Sequence, residues 1–321
     1  MIKFFLSFLI AIPAQAYFIT ASVQDKSYND EIDGRFYTAS FANQASDFLW
    51  NYPEEDINAF NYSFSVWQRE YSGISNIDSK LTDYSLLLDK TYGNRNYQIN
   101  LKSSTLNGAG FEDIQQNFLD AKFSHRLPNS AFLILGFENY FIAMAAPNFE
   151  NLKAKQSTSR KFLRYYDFRP NYRLKFSSIF GSFSDDNSMY QIQSSISFPF
   201  LKGKVDWFWL GIAAEHLEYD KTSSNYWSPA TNTSIAGTLE LSHKTSADSL
   251  WYYSLGVNLG QSKEDDLGWN SSQSFGINIR YGNRGVSTVA IEHGSYKGET
   301  WEENGNTINM THSFPTKEQS E

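Results

Sequence analysis

The chain has no cysteine. That excludes a disulfide framework, cysteine-ligated zinc and thiol catalysis. Charge is scarce as well: Asp, Glu, Lys and Arg make up 19% of the 321 residues, against roughly 25% in an average soluble domain. The charge present leans acidic, with 35 carboxylates to 27 Lys and Arg, which argues against a general nucleic-acid-binding surface. Long apolar runs are missing too. Ala131–Phe137 and Val205–Ala214 are the most apolar internal stretches, and both fall far short of the roughly 20 residues a membrane-spanning helix needs. In their place stand 26 Phe, 20 Tyr and 8 Trp, separated by Ser, Asn, Gln and Thr. This composition suits strands with one greasy face and one wet face.

Residues 1–16 read MIKFFLSFLIAIPAQA. Lys3 supplies a positive start, Phe4–Ile12 a short apolar run, Pro13 a break, and Ala14-Gln15-Ala16 a small-x-small cleavage site. The pattern is that of a secretory signal peptide. Its removal would leave Tyr17–Glu321 with 26 basic and 35 acidic side chains. An exported chain without a membrane helix is either soluble beyond the inner membrane or a β-barrel.

From about residue 57 onward the chain alternates with period two. Phe60, Tyr62, Phe64 and Val66 enclose Asn61, Ser63 and Ser65; Tyr97, Ile99 and Leu101 enclose Gln98 and Asn100. The same pattern recurs around Leu119–Ser124, Tyr172–Ser177, Tyr190–Phe200, Trp251–Gly260 and Phe275–Tyr281. Neighbouring strand side chains point to opposite faces, so each run presents one apolar and one polar face. Short turns rich in Gly, Pro, Asn and Asp separate some runs, as at Gly93–Asn96, Arg169–Asn171 and Gly282–Gly285. Longer polar loops separate others, near 107–114, 142–160, 182–188, 219–232, 262–272 and 295–306. Short turns at one end and long loops at the other mark an outer-membrane barrel, with the short turns periplasmic. Tyr84, Tyr97, Tyr172, Tyr190, Trp251 and Tyr281 fall at run ends, where interfacial aromatic girdles lie.

These runs predict an all-β fold: a transmembrane, antiparallel, up-and-down β-barrel of about 16 strands, with 14 as the alternative. Two of the 16, Tyr17–Gln24 and Arg35–Phe41, precede the regular alternation. The barrel is expected over 17–314 and a polar periplasmic tail over 315–321. Residues 43–56, with Phe48, Leu49 and Trp50, form either a long connection, a short helix or a plug. The apolar segment 142–146 either folds into the lumen or extends a strand.

The stretch Asn306-Thr-Ile-Asn-Met-Thr-His-Ser-Phe314 resembles the closing strand of Gram-negative, porin-like outer-membrane barrels, though Pro315–Glu321 follows the terminal aromatic. The resemblance is one of architecture and covers most of the mature chain. It implies residence in the outer membrane, contact with its lipid and with the barrel-assembly machinery, and passive diffusion of small hydrophilic solutes with no cofactor and no metal.

The polar side of each run supplies the candidate pore-lining residues: Lys102, Asp120, Lys122, Glu138, Arg164, Arg173, Lys175, Glu240, Arg280 and Glu292. Lys102, Lys122, Arg164, Arg173 and Lys175 lie on nearby strands and would make one wall basic, facing acids across a wet lumen. The other reading of these charges is a set of salt bridges that plugs the interior.

Signals for catalysis are few. His125, His216, His243, His293 and His312 occur without HExxH or GxSxG spacing. Ser242-His243 and His312-Ser313 are sequence neighbours, so on a strand they point to opposite faces. Gln24-Asp25 followed by Asp33-Gly-Arg-Phe-Tyr-Thr38 is similar to the first hairpin of the outer-membrane lipid A 3-O-deacylase family. That resemblance implies a calcium-binding role for Asp25 and a place beside an active site for Thr38. Gln24 stands where that family has Asn, and residues 140–165, which correspond to its catalytic histidine segment, contain no histidine. A lipid-modifying enzyme, an autotransporter-like translocator and a hydrophobic-solute channel are therefore the alternatives to a diffusion pore.

Overall fold

A computed structural model describes residues 17–28, 32–43, 58–73, 79–108, 113–128, 131–141, 157–223, 228–246, 250–265, 268–283, 287–297 and 302–314. The signal-peptide assignment at 1–16, the segment 44–56, the apolar stretch 142–146 and the tail 315–321 lie outside the described residues.

The strands are β1 (Tyr17–Tyr28), β2 (Ile32–Ala42), β3 (Asn58–Gly73), β4 (Ser79–Tyr92), β5 (Arg95–Gly108), β6 (Ile114–Leu127), β7 (Ala131–Phe141) and β8 (Ser157–Arg169). They continue as β9 (Tyr172–Phe183), β10 (Ser188–Lys202), β11 (Asp206–Tyr219), β12 (Thr231–Lys244), β13 (Trp251–Glu264), β14 (Trp269–Asn283), β15 (Ser287–Lys297) and β16 (Glu302–Phe314). Each pairs antiparallel with its sequence neighbours, and β1 pairs with β16, from Tyr17↔Phe314 to Tyr28↔Glu303. The sheet is a closed up-and-down barrel with no free edge.

Register fixes the two faces. Ile99 pairs with Leu88 and Ala121, and Leu101 with Leu86 and Leu119. Directly paired residues share a face, so one apolar phase passes from strand to strand around the wall. Its members are broadly exposed: Ile99 is 47%, Ile212 60% and Leu259 61% accessible. A water-soluble barrel would not leave such a band uncovered; a lipid-facing wall requires it. Tyr84, Tyr97, Tyr190, Trp251 and Tyr281 are among the exposed outer-face residues.

The strands extend further than the alternation does. Residues 262–264 and 269–272 are strand, so the connection between β13 and β14 is only 265–268. Residues 295–297 and 302–306 likewise belong to β15 and β16. Beyond the lipid both faces can be polar, which erases the period-two signal, while the backbone ladder continues because it needs no particular side chain. The first hairpin is extended in the same way, with Asp25 to Tyr28 paired to Arg35 to Ile32.

The two ends differ less than the sequence suggests. Gly93–Asn94 and Pro170–Asn171 are two-residue turns at the end that also holds the termini, and the strand ends joined by 142–156 and 220–230 lie at the other end. But β2 and β3, joined by 43–57, meet at the tight-turn end, and β9 and β10 are separated only by 184–187 at the other. Gly93 has φ 53°, the left-handed conformation a two-residue hairpin demands. At the end of β2, buried Asn43 imitates a strand: its Oδ1 accepts from Tyr62 N at 2.7 Å and its Nδ2 donates to Phe60 O at 3.2 Å.

Candidate functional site

The phase opposite the apolar band faces the interior. All ten sequence-predicted lumen residues fall on it: Lys102 on β5, Asp120 and Lys122 on β6, Glu138 on β7, Arg164 on β8, Arg173 and Lys175 on β9, Glu240 on β12, Arg280 on β14 and Glu292 on β15. The clean opposition of a basic wall to acids across the lumen does not form. Lys102 pairs at 2.7 Å with Asp120 on the adjacent strand, and Arg173 pairs at 2.9 Å with Glu240 along the wall. An ion taken partly out of water gains most from its nearest opposite charge, because the interaction decays with distance and is screened by salt across a wet lumen.

Several interior groups escape the sequence reading. Lys26 on β1 is ion-paired with Glu303 on β16. Buried Asp89 accepts from Asn61, Asn96 and Gln98 at 3.2, 2.7 and 2.7 Å. Glu215 accepts from Gln191 at 3.0 Å and Gln193 at 2.7 Å. Extending the phase of Ser85 and Leu87 two places would have found Asp89; its amide partners come from two other strands.

Five inner-face arginines share one arrangement. Arg69 lies over Trp67 at 5.6 Å, Arg160 over Tyr140 at 5.1 Å, Arg164 over Phe162 at 4.2 Å, Arg173 over Trp209 at 3.8 Å and Arg280 over Tyr252 at 4.7 Å. A ring holds a guanidinium flat without neutralising it. These charges therefore line the wall with their flexible stems restrained.

The interior is asymmetric. On β7–β11 the inner residues Ile134, Phe162, Ile179, Phe183, Met189 and Leu217 form a buried apolar cluster, with Tyr166 and Tyr219 against it. Leu81 and Leu106 on β4 and β5 are fully buried. On β12–β16 the inner positions are mostly Gly, Ala, Ser, Thr and Asn. Four glycines there are in direct register across four strands: Gly256↔Gly276, Gly276↔Gly294 and Gly294↔Gly305. Glu240 pairs with Gly256 at one end of this row, and Lys26 with Gly305 at the other. The row climbs the wall, because Gly256 and Gly305 are near the starts of β13 and β16, which begin at opposite ends of the barrel. A Cβ on Gly256 would meet nothing within 4 Å, and one on Gly276 only His293 O at 3.8 Å. A cavity of about 730 Å³ lies against this wall.

The candidate enzymatic residues are not brought together. Asp25 stands on the outer face, 2.8 Å from Arg35, while Thr38 pairs with Ser22 on the inner phase. His125, His216, His243 and His293 all stand on the outer phase. Ser242 is inside and His243 outside, with His243 Nδ1 2.6 Å from Asp206 Oδ1. Among the described residues no group of three or more His, Asp or Glu could hold a metal ion.

No known family profile and no curated protein sequence matches the chain. Solved structures do. One described as a bacterial polysaccharide outer membrane secretin aligns with TM-score 0.72 at 12% identity, over 94% of this chain and 99% of that one. CdiB from Acinetobacter baumannii aligns with TM-score 0.54 at 10% identity, over 93% of this chain and 60% of that one. At these identities the likeness is one of fold: the closed 16-strand barrel of outer-membrane proteins.

Proposed function

We propose that the protein is a channel in the outer membrane of a Gram-negative cell, and that small hydrophilic solutes cross it by diffusion. The observation that carries this reading is the division of one barrel wall into two opposite surfaces. Its outer phase is an exposed apolar band. Its inner phase bears the predicted charges and, on β12–β16, small polar residues beside a cavity of about 730 Å³. Barrels of 16 strands are wide enough to hold an aqueous path. The apolar cluster on β7–β11 fills part of the interior, and the cavity against β13–β1 leaves room beside it. The similar structure described as a polysaccharide outer membrane secretin fits a conduit for polar material.

The pore-lining set is then Lys102, Asp120, Lys122, Glu138, Arg164, Arg173, Lys175, Glu240, Arg280 and Glu292. Charges fixed to the wall select by size and sign, and the reading involves no covalent chemistry. Planar-bilayer recording of the refolded protein under a salt gradient tests it. Ohmic steps with a reproducible reversal potential support a channel. A folded, heat-modifiable barrel that carries no current overturns it and brings the translocator or enzyme alternatives forward.

A further inference from the structure

The cavity against β13–β1 combines ring faces, paired polar groups and free space. Its volume, about 730 Å³, lies inside the ~300–1,000 Å³ range of small-ligand sites. Tyr252, Tyr296, Glu292, Lys26, Glu303 and Gln24 are among the residues around it. Arg280 covers one face of the Tyr252 ring at 4.7 Å. Tyr296 is 38% exposed on the inner phase. Glu292 Oε1 accepts from Asn278 Nδ2 at 2.6 Å, which leaves its second carboxylate oxygen as an acceptor.

The charges at this cavity balance, Lys26 and Arg280 against Glu292 and Glu303. A strongly anionic or cationic ligand would meet as much repulsion as attraction. A neutral ligand rich in hydroxyl groups would not, because each hydroxyl both donates and accepts. Carboxylate, amide and hydroxyl side chains serve both needs. An exposed aromatic face accepts the C–H face of a pyranose ring by the dispersion that drives apolar packing. The backbone of Gly276 and Gly294 carries no side chain that would hold such a ring away from the wall, and a Cβ on either would meet only a carbonyl oxygen, at 3.8 and 3.9 Å.

We infer that this cavity is a binding subsite for a neutral oligosaccharide, with Tyr296 as the stacking face and Glu292 as the main hydroxyl acceptor. The inference rests on the channel reading for its part in permeation; to reach the subsite the ligand needs only one open mouth of the lumen.

Maltohexaose is the probe. Two measurements keep the subsite separable from the channel. In bilayers, millimolar maltohexaose is expected to interrupt the current, and Tyr296→Ala and Glu292→Ala each to shorten the interruptions by about tenfold, equivalent to about 1.4 kcal/mol. Glu218→Gln, on the outer face of β11, leaves them unchanged. In detergent, isothermal titration of the refolded protein is expected to show saturable binding that both inner-face variants weaken. Heat-modifiable migration reports that the variants fold. Current without interruption and no saturable heat overturns the subsite while keeping the channel. Interruptions that both variants leave intact overturn this location. Block by oligogalacturonate and not by maltohexaose overturns the neutral ligand class. A barrel that is silent in bilayers removes the channel reading, and the titration alone then decides the subsite.

Discussion

Arg173 on β9 and Glu240 on β12 meet at 2.9 Å, with the Arg173 guanidinium 3.8 Å above the Trp209 ring between them. The pair spans three inter-strand steps along the inner wall, at the end of the barrel where the turns are tight. It places a crossbar of two charges and a ring at that mouth.

Removing the crossbar has a defined consequence. Both ends are partly exposed, so the ion pair contributes less than about 1 kcal/mol to stability. Arg173→Ala is expected to leave the barrel heat-modifiable and to raise single-channel conductance. It should also move the reversal potential toward cation selectivity, because Glu240 then faces the lumen without its base. Unchanged conductance and selectivity in paired recordings would place the crossbar away from the permeation path.

The basic inner-face residues can be tested as a set. Neutralising Lys102, Lys122, Arg164, Arg173 and Lys175 with Gln is expected to shift selectivity toward cations more than any single change, since fixed charges act jointly on a mobile ion in a narrow lumen. Reversal potentials under a salt gradient measure the shift.

The glycines divide into two groups with opposite responses. A Cβ at Gly136 would lie 2.6 Å from Ala121 O, and one at Gly211 2.5 Å from Ile196 O. Alanine at either site forces backbone movement and should destabilise by about 1–3 kcal/mol. Gly256 and Gly276 face open space. Gly276→Leu should therefore fold normally and lower conductance. Thermal unfolding in detergent and bilayer recording on the same three variants separate the two effects.

Asn43 is expected to matter for assembly of the wall. Its side chain satisfies Tyr62 N and Phe60 O, and Asn43→Ala removes the acceptor of the buried Tyr62 N–H, at a cost of about 1–3 kcal/mol. The midpoint of heat modification should fall, while selectivity, which depends on the interior, should not change.

Lipid deacylation is expected to be absent. Asp25 and Thr38 lie on opposite faces of the β1–β2 hairpin, and Asp25 is engaged by Arg35. Incubation of the refolded protein with lipid A and calcium should release no 3-O-acyl chain. Release that Asp25→Ala abolishes would reverse this assignment.

The sequence by itself determined the strands and their faces wherever lipid imposes a rule. Ile99, Leu101, Leu119 and their counterparts must face hydrocarbon, and period two then assigns Lys102, Asp120 and Lys122 to the interior. It also marked the tight turns at Gly93–Asn94 and Pro170–Asn171. It lost the strands where both faces meet water, as at 262–264 and 302–306, because no solvent contrast marks the alternation there. Tertiary structure decided whatever depends on register and closure. Gly256, Gly276, Gly294 and Gly305 have no regular spacing, and only hydrogen-bonded pairing aligns them in one row. Arg173 and Glu240 are 67 positions apart, and Lys26 reaches Glu303 only because β1 closes on β16. A strand's own residues say which way a side chain points; which charge or ring it meets is set by the neighbouring strands.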